Sequence, residues 1–255
     1  MTVVESILLG LVQGASEFLP ISSSGHLKLV QTLLGIDCPL LFDVCLHLGT
    51  ALSVVAVFWQ QIFHLFKHPL KNEKLHKIIF ATICTLVVAL PMRLFVLEGE
   101  WEKYLLLAGF VMTAILLWLS SLLTVAKPKP LWARPLWVTL LCGAMQGLAT
   151  IPGLSRSCTT ICSLTFCKVK RQDAVEFSFL LSLPIILASA VGEFVTTKTA
   201  QVISLPWYCF AVGIAVAFLS GLLGISLVQK LFGQKRQQWF ALYMTIPILI
   251  SILIL

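Results

Sequence analysis

Six stretches of this chain are apolar for about the 20 residues that a bilayer-spanning helix needs. They are Leu41–Trp59, Ile78–Val96, Tyr104–Ala126, Ala174–Val195, Leu205–Val228 and Trp239–Leu255. Two more apolar stretches, near Val3–Gly35 and Leu136–Cys167, are broken at their centres by Gly, Pro and Ser. A bilayer offers no water to unpaired N–H and C=O groups, so non-helical backbone at that depth must be buried in protein or line a wet cavity. Neither broken stretch makes a clean span. Each fits a helix–break–helix hairpin that enters and leaves on one side. The expected fold class is an all-α integral membrane protein, with six transmembrane helices plus two re-entrant helix–loop–helix hairpins. Composition agrees: 11% of residues are charged, against about 25% in soluble domains.

The loop charges orient this arrangement. With both broken stretches re-entrant, one side receives Lys67, Lys71, Lys74 and Lys77; Lys127, Lys129 and Arg134; Lys168, Lys170 and Arg171; and Lys230, Lys235 and Arg236. The other side receives Lys28, Arg93, Lys103 and Lys198 with Glu98, Glu100 and Glu102. The positive-inside rule puts the first group in the cytoplasm and both termini outside. One hairpin plus three crossings then makes each half of a single membrane domain, about 1–126 and 127–255. Three crossings is an odd number, so the halves form an inverted-topology repeat whose hairpins enter from opposite faces. Transporters share that logic, with the site where the broken helices meet. The net charge of +7 does not indicate a nucleic-acid partner, because the basic residues sit in short loops between apolar spans. The N-terminus carries Glu5 and no basic n-region, unlike a cleavable signal peptide. The eight cysteines include no Cys-x-x-Cys pair and read as small apolar packing residues.

The two breaks resemble each other. The first reads Gln13-Gly14-Ala15-Ser16-Glu17-Phe18-Leu19-Pro20-Ile21-Ser22-Ser23-Ser24-Gly25-His26. The second reads Gln146-Gly147-Leu148-Ala149-Thr150-Ile151-Pro152-Gly153-Leu154-Ser155-Arg156-Ser157. Each break should open a new half-helix, capped by Ser22, Ser23 or Ser24 in the first and by Ser155 or Ser157 in the second. Helix N-termini bind anions, and two of them meeting inside a membrane would cradle phosphate. Arg156 adds a planar donor fork suited to phosphate oxygens. Glu17 lies one turn after Gln13 on the same helix face. A carboxylate beside an anion site calls for a bridging cation, and Mg²⁺ commonly takes one or two carboxylates plus substrate phosphates. His26 is placed to move a proton near neutral pH. Asp43 and His47 stand one turn apart at the start of a span, either supporting the site or simply interfacial. His64, His68 and His76 fall in a long basic loop that suits anionic lipid.

The first motif resembles the (Glu/Gln)-x-x-x-Glu and Ser-Ser-x-Gly-His elements of the undecaprenyl-diphosphatases, also called bacitracin-resistance proteins. Pro152-Gly-Leu-Ser-Arg156-Ser resembles that family's Pro-Gly-x-Ser-Arg-Ser element, and Glu176–Pro184 a further family segment. The resemblance implies a phosphatase of the bacterial cytoplasmic membrane. It would remove the terminal phosphate of undecaprenyl diphosphate, recycle the lipid carrier for wall synthesis and deplete the target of bacitracin, with its pocket facing the outer side. It implies Gln13 and Glu17 as a metal or acid/base pair for Mg²⁺ or Ca²⁺, and Ser23 as nucleophile. Ser22, Ser24, Ser155, Ser157 and Thr160 would bind phosphate, His26 would be the acid/base and Arg156 the clamp. The partners implied are a long-chain polyprenyl diphosphate and membrane lipids. The sequence departs from the common family residues at Gln13, where many members have Glu, at Ser24, where Thr is common, and at Cys158, where Gly is usual. A transporter or flippase of a polyprenyl phosphate lipid is the rival reading.

Overall fold

The computed structural model describes residues 1–95, 101–123, 127–196, 205–233 and 237–254. Among these, α1 (Val3–Phe18) and α2 (Ser23–Leu34) form the first broken pair, followed by α3 (Leu40–Lys67), α4 (Glu73–Phe95) and α5 (Glu102–Leu122). The second pair is α6 (Leu136–Leu148) and α7 (Arg156–Phe166), followed by α8 (Arg171–Thr196), α9 (Trp207–Gly233), α10 (Gln237–Tyr243) and α11 (Thr245–Ile254). No strand occurs among the described residues. Six helical segments are long and apolar enough to cross a membrane. Of the residues used above for orientation, Glu98, Glu100, Lys198, Lys235 and Arg236 lie outside the described residues, as do the side chains of Glu102 and Lys103. The span ends at Val96, Ala126 and Leu255 lie outside them too.

Three boundaries differ from expectation for local reasons. α3 continues past Trp59 to Lys67, because Gln60, Gln61 and His64 occupy the exposed side of turns that still bury Leu65. Phe58 leaves helical geometry there (φ −108°, ψ 21°) and marks a kink. His64 and His76 are therefore helical, and the basic loop shrinks to residues 68–72. It ends where Asn72 Oδ1 accepts from the N–H groups of Lys74 and Leu75, at 3.0 and 3.3 Å. The last span is two helices, α10 and α11. Pro247 has no N–H to offer the Tyr243 carbonyl one turn back, so the ladder breaks at Met244.

Both broken pairs are built by capping chemistry. Thr2 and Glu5 cap α1 reciprocally, and α1 stops before Leu19-Pro20, since a residue preceding proline disfavours helix. Ser22 caps α2, which closes on Gly35 in the left-handed region (φ 63°). Gly153 (φ 82°) turns the second break, and the Ser155 hydroxyl caps α7 by accepting from Cys158 N–H at 3.2 Å. The two ends of the α6–α7 pair lie side by side: Arg134 Nη2 donates to the Lys168 carbonyl at 2.6 Å. Lys77 joins them from α4, donating to the carbonyls of Leu131, Trp132 and Arg134 at 2.9, 3.1 and 2.9 Å. Three of the basic segments thus share one end of the molecule. At the ends of the first pair, Met1 and Ile36 both pack on the cluster of Leu9, Leu27, Phe42 and Leu46.

Close helix approach draws the breaks to the centre. α1 lies along α9, and α6 along α4. A Cβ on Gly14 would stand 2.4 Å from the Ala217 carbonyl oxygen, and one on Gly147 would stand 2.8 Å from that of Thr85. Only glycine permits these separations, a packing mode common between membrane helices. Phe18, at the end of α1, meets Phe179 of α8 edge-on at 5.2 Å and closes the core beside the first break.

Candidate active site

The two breaks meet. Ser157 Oγ donates to the Leu19 carbonyl at 3.1 Å, and the Arg156 guanidinium is paired with Glu17 Oε1. Between them opens a cavity of about 650 Å³ lined by Glu17, Ser22, Ser23, Ser24, Ser155 and Arg156. Its floor is the N-termini of α2 and α7, whose first-turn N–H groups have no partner within the helix. One wall is apolar: Leu40 and Val44 of α3 with Ile185 and Ile186 of α8.

Glu17 is 5% exposed and sits at the hub. Its Oε2 accepts from Ser23 Oγ at 2.5 Å and from Gln13 Nε2 at 2.8 Å. Ser22 holds a positive φ of 70°, a strained state for a residue with a side chain, and such strain gathers at functional sites. The Ser22 carbonyl is held at 2.7 Å by His26 Nδ1. A carbonyl only accepts, so that nitrogen carries the hydrogen, and the neutral ring then accepts from the Tyr243 hydroxyl through Nε2, 3.0 Å away.

Not every residue expected here reaches the cavity. Both nitrogens of His26 are engaged, and its ring faces a separate apolar hollow with Trp239, Phe240 and Tyr243. Ser157 is 4% exposed and spends its hydroxyl on the Leu19 carbonyl and on Ser155 Oγ, 3.1 Å away. Thr160 is fully buried one turn deeper and bonds Ser178 Oγ of α8 at 2.6 Å; it steadies α7 and does not line the cavity. Gln13 is buried behind Glu17, with its Oε1 unpartnered. Conversely, His47, Arg93, Thr150 and Ser189 line the cavity. The signal for His47 was its one-turn spacing from Asp43. Thr150 lies within the second break, and nothing in the sequence marks Ser189.

In this arrangement Gln13 and Glu17, the residues expected to hold a divalent cation, are engaged with their neighbours. Both Glu17 oxygens are bonded, one of them to a guanidinium. The free Gln13 Oε1 is enclosed, and no group of three His, Cys, Asp or Glu converges among the described residues. In this arrangement the Arg156 guanidinium occupies Glu17 Oε1.

Residues 6–249 match the family model described as bacitracin resistance protein BacA. The chain belongs to the BacA family. It is 33% identical over 249 residues to the undecaprenyl-diphosphatase of Carboxydothermus hydrogenoformans, covering 96% of this chain and 95% of that one. It is 34% identical over 257 residues to that of Christiangramia forsetii (95% and 94%), and 32% identical over 256 residues to that of Borrelia hermsii (96% of each). In this BacA chain Glu17, Ser22, Ser23 and Ser24 of the first break and Ser155 and Arg156 of the second are among the residues that bound the cavity.

Proposed function

We propose that this chain hydrolyses undecaprenyl diphosphate to undecaprenyl phosphate and inorganic phosphate. The observation that carries the reading is the constellation Ser23–Glu17–Arg156, drawn from two separate breaks into one cavity, with Ser23 and Arg156 opening two helices and Glu17 near the end of a third. The names of the relatives favour the phosphatase over the transporter reading.

The terminal phosphate enters the polar end of the cavity and takes the Arg156 guanidinium from Glu17 as a bidentate partner. Glu17 Oε2, already bonded to Ser23 Oγ, receives its proton as the serine oxygen attacks phosphorus. The bond to the lipid phosphate breaks in line, and Arg156 with the α2 and α7 N–H groups stabilises the equatorial oxygens. The isoprenoid tail leaves along the apolar wall. A divalent cation belongs to the substrate side of this reaction, as the counter-ion of the diphosphate.

The helices of the broken pairs have 16, 12, 13 and 11 residues. At 1.5 Å per residue the longest reaches about 24 Å, short of a hydrocarbon core of about 30 Å. We therefore take both pairs as re-entrant hairpins in an inverted repeat, with the first and its cavity opening on the outer face of the cytoplasmic membrane. Packing supports the repeat. α1 uses Gly10 and Gly14 against α9, the middle span of the second half, while α6 uses Gly143 and Gly147 against α4, the middle span of the first. The two glycine pairs stand at the same offset as Gln13 and Gln146.

Purified protein given a long-chain polyprenyl diphosphate tests the reading: inorganic phosphate is released with one polyprenyl phosphate per turnover. No release with any divalent cation present would overturn it. His26 acts through Ser22 and the aim of Ser23. His26→Ala lowers kcat by roughly 10²-fold, the scale of an ångström-sized misplacement. His26→Asn, whose amide N–H can still hold the Ser22 carbonyl, recovers most of that loss in the same assay.

A further inference from the structure

His47 is the only imidazole among the described residues lining the catalytic cavity. Its Nδ1 lies 2.8 Å from the Asp43 carbonyl oxygen. That partner only accepts, so Nδ1 carries a hydrogen, and the tautomer available to act as a base has its lone pair on Nε2. Nε2 stands 3.7 Å from Glu17 Oε2, with 29% of the side chain exposed. Catalytic contacts of this length commonly tighten once substrate is bound. The mount is firm. The Asp43 carboxylate accepts from Gln31 Nε2 at 2.9 and 3.2 Å, tying α3 to α2, and Thr50 Oγ1 donates to the His47 carbonyl at 2.8 Å.

We propose that His47 is the general base for the water that hydrolyses the phosphorylated Ser23. The assignment rests on the reading of Ser23 as nucleophile, and it follows from counting protons. In the first step the Ser23 O–P bond forms, the P–O bond to the lipid phosphate breaks, and the serine proton moves to Glu17. In the second step a water O–P bond forms and the Ser23 O–P bond breaks. The departing serine oxygen takes its proton back from Glu17, so that carboxyl group cannot also receive the water proton. The charged groups that share the cavity or face this ring are Glu17 of α1, Asp43 of α3, Arg93 of α4 and Arg156 of α7. Arginine is no base, and both carboxylate oxygens of Asp43 accept from Gln31 Nε2. His47 Nε2 is left to accept the water proton and to pass it to solvent as phosphate departs.

The test uses the whole purified protein and a polyprenyl diphosphate labelled in its terminal phosphate. His47→Gln removes the base. His47→Asn also removes it but keeps an N–H for the Asp43 carbonyl, which preserves the local mount if the glutamine variant does not fold. The first turnover should proceed at the wild-type rate. Steady-state kcat should then fall by about 10²- to 10⁴-fold, with acid-stable label accumulating toward one phosphate per chain. Turnover within threefold of wild type would overturn the assignment, as would lost turnover without label in a variant that melts like wild type. A wild-type protein that neither takes label nor releases phosphate would overturn the hydrolase reading as well, so the two failures are distinct.

Discussion

Arg156→Ala should lower kcat for phosphate release by at least about 10³-fold, the scale of an arginine that clamps a transferring phosphoryl group. The residue has two tasks in this fold. Before substrate arrives it neutralises Glu17, a carboxylate with almost no exposure. Afterwards it holds the equatorial oxygens of the phosphate. Arg156→Lys keeps one charge but loses the planar fork, and Arg and Lys are not equivalent at bidentate sites. It should fall between wild type and alanine. Because removal of the guanidinium leaves Glu17 buried without its ion partner, the alanine variant should also melt earlier; Arg156→Ala with Glu17→Gln should regain melting temperature but not activity. Phosphate release and thermal unfolding on the same samples separate the two tasks.

Ser23→Ala should have an equally large effect, with kcat reduced by at least about 10³-fold and no phosphorylated protein. The hydroxyl that Glu17 accepts at 2.5 Å is then gone, while the helix cap, which belongs to Ser22, remains. Binding should persist, because Arg156 and the helix N-termini are intact, so the variant should compete with wild type for the lipid diphosphate. Single-turnover kinetics with purified variants read both effects.

The class of fold and the places where it breaks were legible in the residues themselves. Apolar length marks the spans, and Pro20, Pro152 and Gly153 mark the breaks. The likeness of Gln13-Gly14 to Gln146-Gly147 pointed to one pocket made by two halves. What was not legible depends on rotation and on distant neighbours. His26 ends the first break in sequence, whereas His47 lies beyond α2 on α3. Which ring faces the cavity is decided by Tyr243, far along the chain, and by the turn of α3 against α2. Thr160 sits beside Ser157 in the motif, yet helical periodicity carries it into the contact with Ser178. Gly14 and Gly147 stand at matching places in the two breaks yet face different partners: Ala217 and Ser220 for Gly14, Thr85 and Val88 for Gly147. The division of the last span was not legible, because Pro91 and Pro184 sit inside the continuous helices α4 and α8 while Pro247 lies just past a break.

The central claim is that Glu17 and Ser23 of one break, with Arg156 of the other, form a single phosphoryl-transfer site. Its most direct test is acid quenching of the wild-type protein within one turnover on terminally labelled polyprenyl diphosphate, followed by mapping of the label. The label should be found on Ser23, together with unlabelled polyprenyl phosphate, and it should be absent when Ser23 or Arg156 is alanine. Phosphate released at full rate with no labelled serine, or turnover undiminished in Ser23→Ala, would contradict the account.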